Sequence, residues 1–177
     1  MGFALRRLAA RRARDVDEIG ALAQGIAIDD PRYEAFATAR RQAWSAIGTV
    51  DEDVIGYLVS PEFSGGPAWP TTRQSYLVVR PAGSMIIASD GLSDLFVGTD
   101  SEAPGFGCEV YIECPDLAGA AFEDLKRSWQ FQLIENFAQN VADFGGVEGP
   151  LARYGVISME LPAPGTAPKR WVSPRGT

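Results

Sequence analysis

Residues 75–89 read SYLVVRPAGSMIIAS and contain two runs of β-forming residues on either side of a short turn. The runs are Ser75–Arg80 and residues 85–89, and residues 81–83, Pro-Ala-Gly, join them. Valine, isoleucine and tyrosine favour strands, whereas proline and glycine favour turns. The stretch therefore predicts a β-hairpin, around which the other elements must be arranged.

Three further strands are expected outside this hairpin. Residues 54–59 are rich in β-formers and end at Pro61. Residues 107–114 place Cys, Val, Ile and Cys on one face and Glu109, Tyr and Glu113 on the other. Residues 154–161 alternate in the same way, and the polar, Gly- and Pro-bearing residues 97–105 predict a loop.

Helical spacing dominates elsewhere. Residues 118–143 carry a continuous apolar stripe that predicts one long helix, which Gly145-Gly146 would end. A second helix follows Pro31, and a third is expected from Val16 onwards. The apolar positions of these three patterns, in chain order, are Ile19, Leu22 and Ile26; Tyr33, Phe36, Ala43, Trp44 and Ile47; and Phe122, Leu125, Trp129, Leu133, Phe137, Val141 and Phe144.

Together these elements predict an α+β fold. A mixed or antiparallel β-sheet is packed on one side by the long helix of the C-terminal half and is preceded by N-terminal helices. We expect one domain over residues 1–177, which is close to the usual domain size. Its parts are an arginine-rich segment (1–14), a helical lead-in (15–48), a core (50–162) and an extended tail (163–177).

The composition removes several kinds of chemistry. The sequence contains no histidine, so Ser-His-Asp, Cys-His and HExxH sites are excluded. Its two cysteines, Cys108 and Cys114, would lie about 20 Å apart along a strand and are expected to be free thiols. Two cysteines without histidine also fall short of a structural zinc site, so neither a metal nor a cofactor is expected.

Charge is divided unevenly along the chain. Residues 1–14 hold five arginines and no acidic residue, so residues 15–177 hold 11 basic and 23 acidic residues and a net charge of −12. Such an acidic body disfavours nucleic acid and suits a basic partner protein, although simple solubility is the preferred explanation of the charge. No apolar run approaches the ~20 residues of a membrane span and no signal-peptide pattern follows the arginines, so we expect a cytoplasmic protein.

Candidate polar residues fall in three places. Glu109 and Glu113 share a strand face but would lie about 13 Å apart, too far for a catalytic pair, and a solvated outer face is the simpler interpretation. Asp90 and Asp94 flank a turn that lacks the ligand pattern of a calcium loop. Trp69 lies between prolines, where a core anchor and a partner-binding anchor look alike.

The order of several blocks resembles the Suppressor of fused family, although residues 1–48 match nothing in it. Cys-Glu-Val-Tyr at 108–111 also departs from the family's aromatic-Glu-Leu-Thr type of strand. The resemblance covers roughly residues 50–162 and rests on AWPTTRQSY at 68–76 with LVVR at 77–80, SDGLSD at 89–94, GFGCEVY at 105–111, WQ at 129–130 and ENFA at 135–138.

The resemblance implies a protein-binding domain rather than an enzyme. Animal members sequester a zinc-finger transcription factor, and short bacterial members are similar to immunity proteins that neutralise toxins. A basic toxin domain would suit the acidic body. The candidate partner-binding residues are then Trp69, Arg73, Asp90, Asp94, Glu109 and Glu113.

Two alternatives stay open. An enzyme could use Asp90, Asp94 and Glu109, which requires these carboxylates to converge in a concave pocket. An oligomeric scaffold would require a large exposed apolar patch and a defined size in solution. The sequence leaves the oligomeric state and the role of the arginine-rich segment undecided.

Overall fold

The computed structural model describes residues 25–71 and 73–158. In chain order the helices are α1 (Arg32–Ser45), α2 (Phe122–Leu125), α3 (Trp129–Asp143) and α4 (Glu148–Tyr154). The strands are β1 (Thr49–Gly56), β2 (Ser75–Arg80), β3 (Met85–Asp90) and β4 (Tyr111–Cys114), and two short 3-10 turns occupy Pro61–Ser64 and Pro115–Leu117.

The four strands form one antiparallel sheet in the order β1-β2-β3-β4. This confirms the α+β class and the central hairpin. Tyr76 and Val78 of β2 pack on one face against α3, which supplies Phe131 and Ile134. The opposite face, including Val79 of β2, packs against Trp44 of α1. Burial on both faces explains why β2 and β3 are almost continuously apolar.

The prediction of one long helix over 118–143 is wrong, because two helices occupy this stretch. α2 ends at Leu125, and Ser128 begins α3 by accepting a hydrogen bond from the amide of Phe131 at 3.1 Å. Serine at this position satisfies a backbone donor that a helix start leaves free. The apolar stripe continues through the break, so spacing alone did not reveal it.

Ser128→Ala should lower the free energy of unfolding by about 1 kcal/mol, because the first turn of α3 loses its cap. The hydroxyl of Ser45, at the exposed end of α1, donates to the carbonyl of Arg41 within the same helix and caps no amide of α1. Ser45→Ala is therefore the control and should be close to neutral. Equal urea midpoints for the two variants would contradict the capping role.

The strand predicted over 154–161 is also wrong for its described part. Residues Glu148–Tyr154 form α4 with Pro150 in its first turn, and Gly155 ends the helix at φ 71°. No strand is assigned to residues 155–158, and residues 159–161 lie outside the described part. A segment with alternating apolar and polar residues forms a strand only when it pairs with the edge of another strand. Val156 is exposed rather than packed against such an edge.

Two strand boundaries differ from the prediction. β1 covers Thr49–Gly56 rather than 54–59, with a bulge between Val50 and Val54. β4 covers only Tyr111–Cys114. The predicted alternation of side chains nevertheless continues before the strand, since Cys108 and Val110 also pack on the core. Both cysteines are free thiols, as expected.

The N-terminal predictions divide at residue 25. The helix after Pro31 is confirmed as α1, and Asp30 accepts a hydrogen bond from the amide of Arg32 at 2.9 Å. The helix expected from Val16 falls largely on residues outside the described part, as do the segments 1–14 and 163–177. Of the helices that the structure describes, none is long and apolar enough to cross a membrane.

Candidate functional site

Five of the six candidate residues meet around the turn that follows β3, residues 90–94. The guanidinium of Arg73 lies 3.2 Å from the carboxylate of Asp90. At Gly91, an added Cβ would lie 3.4 Å from the ring of Trp69. The sixth candidate is elsewhere, because Glu113 of β4 accepts a hydrogen bond from the Ser84 hydroxyl at 2.6 Å.

The centre of this cluster is Arg40 of α1, a residue that the sequence analysis did not select. Its Nε lies 2.7 Å from Asp90 Oδ1 and its Nη1 lies 2.7 Å from Asp94 Oδ1. Glu109 Oε1 is 3.7 Å from the same Nε. Asp90 and Asp94 are only 2% and 1% exposed, so Arg40 compensates two carboxylates that are removed from water.

The environment of these groups is visible in their pKa values. Burial by itself would lower the pKa of Arg40, but Asp90 and Asp94 outweigh it and the pKa is raised. Burial raises the pKa of Asp94 above its usual value, against the lowering effect of Arg40. The charged form of the Arg40 guanidinium is thus stabilised, whereas desolvation destabilises the charged form of the Asp94 carboxylate.

Glu109 closes the other side of turn 90–94. Its carboxylate accepts hydrogen bonds from the amides of Gly91, Leu92 and Ser93 at 3.1, 3.3 and 3.0 Å. The hydroxyls of Ser89 and Ser93 donate to it at 2.5 and 2.6 Å. Five donors on one carboxylate hold the turn in a single conformation, because each amide would otherwise be unsatisfied.

Two glycines allow the chain to close around this turn. Gly91 has a φ of 137°, and a Cβ there would lie 2.6 Å from the carbonyl of Arg73. A Cβ on Gly105 would lie 2.4 Å from the carbonyl oxygens of Leu92 and Asp94. Gly105 therefore permits the chain to pack closely against this turn.

The placement of the candidates changes what each can do. Trp69 is 3% exposed and packs edge-on against Tyr76, so it is a core residue in this structure. With Asp90 and Asp94 also buried, these three offer no surface to a partner. Arg73 and Glu113 are the candidates with substantial surface.

The carboxylates of Asp90, Asp94 and Glu109 do converge, as the enzyme hypothesis requires. They converge on a guanidinium and on backbone amides, however, rather than on open space. Each is therefore already occupied by a protein group. Among the residues described, no group of three or more Cys, Asp or Glu side chains could hold a metal ion.

The signal for Arg40 was present in the sequence. In α1 the inward positions recur at Tyr33, Phe36 and Trp44, and residue 40 falls in the same helical series. An arginine inside an apolar stripe indicates a buried ion pair. Its partners could not be identified this way, since they lie 50 and 54 residues further along the chain.

A second feature, absent from the candidate list, is an exposed apolar segment at residues 54–63. Leu58 is 106% exposed and Phe63 is 72% exposed. Within ten residues, five large apolar side chains are at least 38% exposed: Val54, Tyr57, Leu58, Val59 and Phe63. Such a concentration on a soluble surface is typical of a site that contacts another molecule.

Acidic side chains border the 54–63 segment. Glu52 and Asp53 of β1 are exposed, and Glu62 is half-buried within the segment. β1 lies at one edge of the sheet, and its bulge interrupts the regular pairing pattern there. Bulges and charges on an edge strand oppose the addition of another strand, so contacts here would be made by side chains.

Fold and site together define an α+β protein with an antiparallel sheet covered on both faces and a buried ionic cluster beside turn 90–94. Comparisons with models of known families, with curated proteins and with solved structures find no match for this chain. Membership of the Suppressor of fused family stays a prediction from the order of the sequence blocks.

Proposed function

We propose that this chain is a non-enzymatic protein-binding domain that sequesters or neutralises a partner protein. The observation that carries the proposal is the 54–63 segment, where Leu58 and Phe63 stand in solvent at the sheet edge. Burying an apolar side chain of this size is worth about 1.5–3 kcal/mol, so two of them can anchor an interface.

The charge of the surface specifies the partner. Glu52 and Asp53 border the apolar segment, and residues 15–177 carry a net charge of −12. A partner that fits has an apolar contact surrounded by lysine and arginine. The resemblance to Suppressor of fused immunity proteins supports a basic toxin domain as that partner, bound in the cytoplasm without a cofactor.

The enclosure of the polar candidates is the reason for preferring binding over catalysis. Asp90 and Asp94 face Arg40, and Glu109 faces the amides of its turn, which leaves none of them free to transfer a proton to a substrate. The cluster instead holds α1, β3 and turn 90–94 in one arrangement. Its proposed role is to support the fold that presents the binding surface.

Leu58→Asp combined with Phe63→Asp should weaken partner binding by about 100-fold or more, because two apolar anchors become charged. The measurement is capture from a lysate of the source organism on immobilised protein, followed by titration of the retained protein. Ile28→Asp with Val156→Asp, at two exposed apolar positions outside the segment, is the matched control.

The proposal requires that wild type and control retain the same stoichiometric, basic protein and that the Leu58/Phe63 variant loses it. It also requires that the retained protein harm cells when expressed alone and not when this chain is co-expressed. Capture that all three forms share would contradict the role of the segment.

The same segment could join two copies of this chain, as the scaffold alternative requires. Light scattering after gel filtration distinguishes the two cases. A defined oligomer that the Leu58/Phe63 variant dissociates would favour the scaffold, whereas an unchanged molar mass favours binding to a different protein.

A further inference from the structure

The two edges of the sheet differ in how they are protected. β1 forms one edge and carries a bulge, whereas β4 forms the other edge and pairs regularly with β3. A regular edge strand can pair with any extended chain that reaches it, and native proteins therefore cover or block such edges. The edge of β4 needs a cover that the described part of the chain does not supply.

The register of β4 shows which of its backbone groups point away from the sheet. The amide of Ser89 donates to the carbonyl of Val110 at 2.8 Å, so the backbone groups of Val110 face β3. These directions alternate along a strand, so the groups of Ile112 also face β3. Those of Tyr111 and Glu113 point outward, and they make no hydrogen bond with any residue that the structure describes. Both residues are exposed, so their amides and carbonyls can pair with another segment.

An apolar groove of about 230 Å³ accompanies this edge, between β4 and α3. Its lining side chains carry no charge: Tyr111, Ile112, Leu133, Ile134 and Phe137. A cavity of ~150 Å³ can hold benzene, so the groove has room for an aliphatic side chain. Side chains of neighbouring strands that lie opposite each other share a face. A segment paired with β4 would therefore direct alternate side chains towards the groove, on the face of Ile112.

The last described residues of the chain lie on this side of the sheet. Ile157 is half-buried and packs against the core cluster to which Ile112 and Phe137 also belong. Val156 and Ser158, which flank it, are exposed. The side chains that face the core at this point are therefore those of odd-numbered residues.

The sequence continues this alternation beyond Ser158. Residues 159–161 read Met-Glu-Leu, so Met159 and Leu161 carry the apolar side chains at odd positions. Pro162 follows and has no amide to donate to a longer ladder. The sequence thus supplies a short segment with two apolar side chains in alternation, which matches an edge with two outward-facing residues.

We propose that residues 159–161 of this chain pair with the outer edge of β4 and place Met159 and Leu161 in the groove between β4 and α3. The backbone partners are the outward groups of Tyr111 and Glu113. This inference is independent of the proposed function, because it involves the edge of the sheet opposite the 54–63 segment. With β1 bulged and β4 covered, neither edge offers backbone groups to a partner strand, so a partner has to be bound through side chains.

The test is amide hydrogen exchange of the full chain, followed residue by residue by NMR. The amides of Tyr111 and Glu113 should exchange at least about tenfold more slowly than unpaired exposed amides, since burying one aliphatic side chain favours the docked state by about this factor or more. The amide of Ile112, which faces β3, is the internal reference for a paired amide. Exchange of the two outward amides at the rate of an unstructured chain would overturn the proposal.

Met159→Asp combined with Leu161→Asp identifies the segment that covers the edge. Charged side chains are costly to bury in an apolar groove, so exchange of the two outward amides should accelerate about tenfold or more while the reference amide stays slow. Val156→Asp, at an exposed position just before the segment, is the matched control and should leave the rates of wild type. Protection that the double variant retains would contradict the proposal, because another group would then cover the edge.

Contacts and dilution distinguish this chain's own segment from a second copy. Nuclear Overhauser effects should join the Met159 methyl group to the ring of Phe137 or to the methyl groups of Ile112. The exchange rates should also be independent of protein concentration. Protection without these contacts, or protection that weakens on dilution, would refute the assignment, the latter in favour of a second copy on the same edge.

Discussion

Arg40→Met should lower the free energy of unfolding by about 3–5 kcal/mol, the largest effect expected from a single substitution in this chain. Methionine preserves most of the side-chain volume but leaves Asp94 buried without its cation and leaves Asp90 with Arg73 alone, at 3.2 Å. The measurement is urea unfolding followed by tryptophan fluorescence. Because typical domains are stable by only 5–15 kcal/mol, the variant should be close to unfolding at 37 °C.

Arg41→Met is the matched control, one position along the same helix. The guanidinium of Arg41 donates to the carbonyl of Asp51 at 3.1 Å, and it makes no ion pair with residues 25–71 or 73–158. Its loss should cost about 1 kcal/mol or less. Similar losses in the two variants would show that Arg40 does not compensate buried charge.

The pH dependence of Arg40→Met provides an independent check. Burial already raises the pKa of Asp94, and removing Arg40 removes the main group that opposes this rise, leaving the weaker effect of Arg73. A carboxyl whose pKa is higher in the folded than in the unfolded state binds its proton more tightly when folded, so stability increases as pH falls through the folded pKa. The deficit of the variant relative to wild type should therefore shrink below neutral pH.

Restoring neutrality should rescue part of this loss. Adding Asp94→Asn to Arg40→Met removes one of the uncompensated charges while keeping the side-chain shape. We expect the double variant to be more stable than Arg40→Met alone, because a neutral buried group is far less costly than an unpaired charge. A further decrease would mean that the two residues act independently.

Glu109→Gln should cost about 3 kcal/mol, the second largest effect. The side-chain nitrogen of glutamine replaces one of the two oxygens that accept from the turn, so at least one of the amides of Gly91, Leu92 and Ser93 loses its acceptor. Urea unfolding measures the total loss in the free energy of unfolding. Faster hydrogen exchange at these three amides would locate the effect at turn 90–94.

Glu113→Gln is the control for this substitution. Glu113 is exposed and accepts a hydrogen bond from the Ser84 hydroxyl, which glutamine can retain through its oxygen. The change should stay within about 0.5 kcal/mol. The two glutamates were equivalent in the sequence, so a difference of this size would show how strongly tertiary surroundings separate them.

Several predictions from sequence were confirmed because they depend on local chemistry. The hairpin follows from β-forming runs joined by Pro-Ala-Gly, and α1 follows from helical spacing after Pro31. The alternation from Cys108 to Cys114 matches the contacts of these residues with the core. Each depends on residues close together in the chain, which spacing can report.

Other predictions were wrong where spacing had more than one solution. The apolar stripe over 118–143 fits either one helix or two. Two helices form, and Ser128 caps the start of the second one, α3. The alternation over 154–161 fits a strand only if a neighbour pairs with it, and over its described part the structure has the end of a helix at Tyr154 and no strand at residues 155–158. The start of β1 was missed because acidic residues, which are uncommon in strands, precede Val54. One of them, Asp51, is accommodated in the strand by an ion pair with Arg80 of the neighbouring strand at 2.8 Å.

The candidate site shows the same division. Sequence alone selected Asp90, Asp94 and Glu109 as notable acids and excluded histidine chemistry, since both conclusions need only residue types and their spacing. Tertiary structure alone decided that Asp90 and Asp94 are buried and held by Arg40, and that the apolar side chains of the 54–63 segment are exposed. The physical reason is that ion pairs and burial depend on distances across the fold, which the order of residues along a chain does not specify.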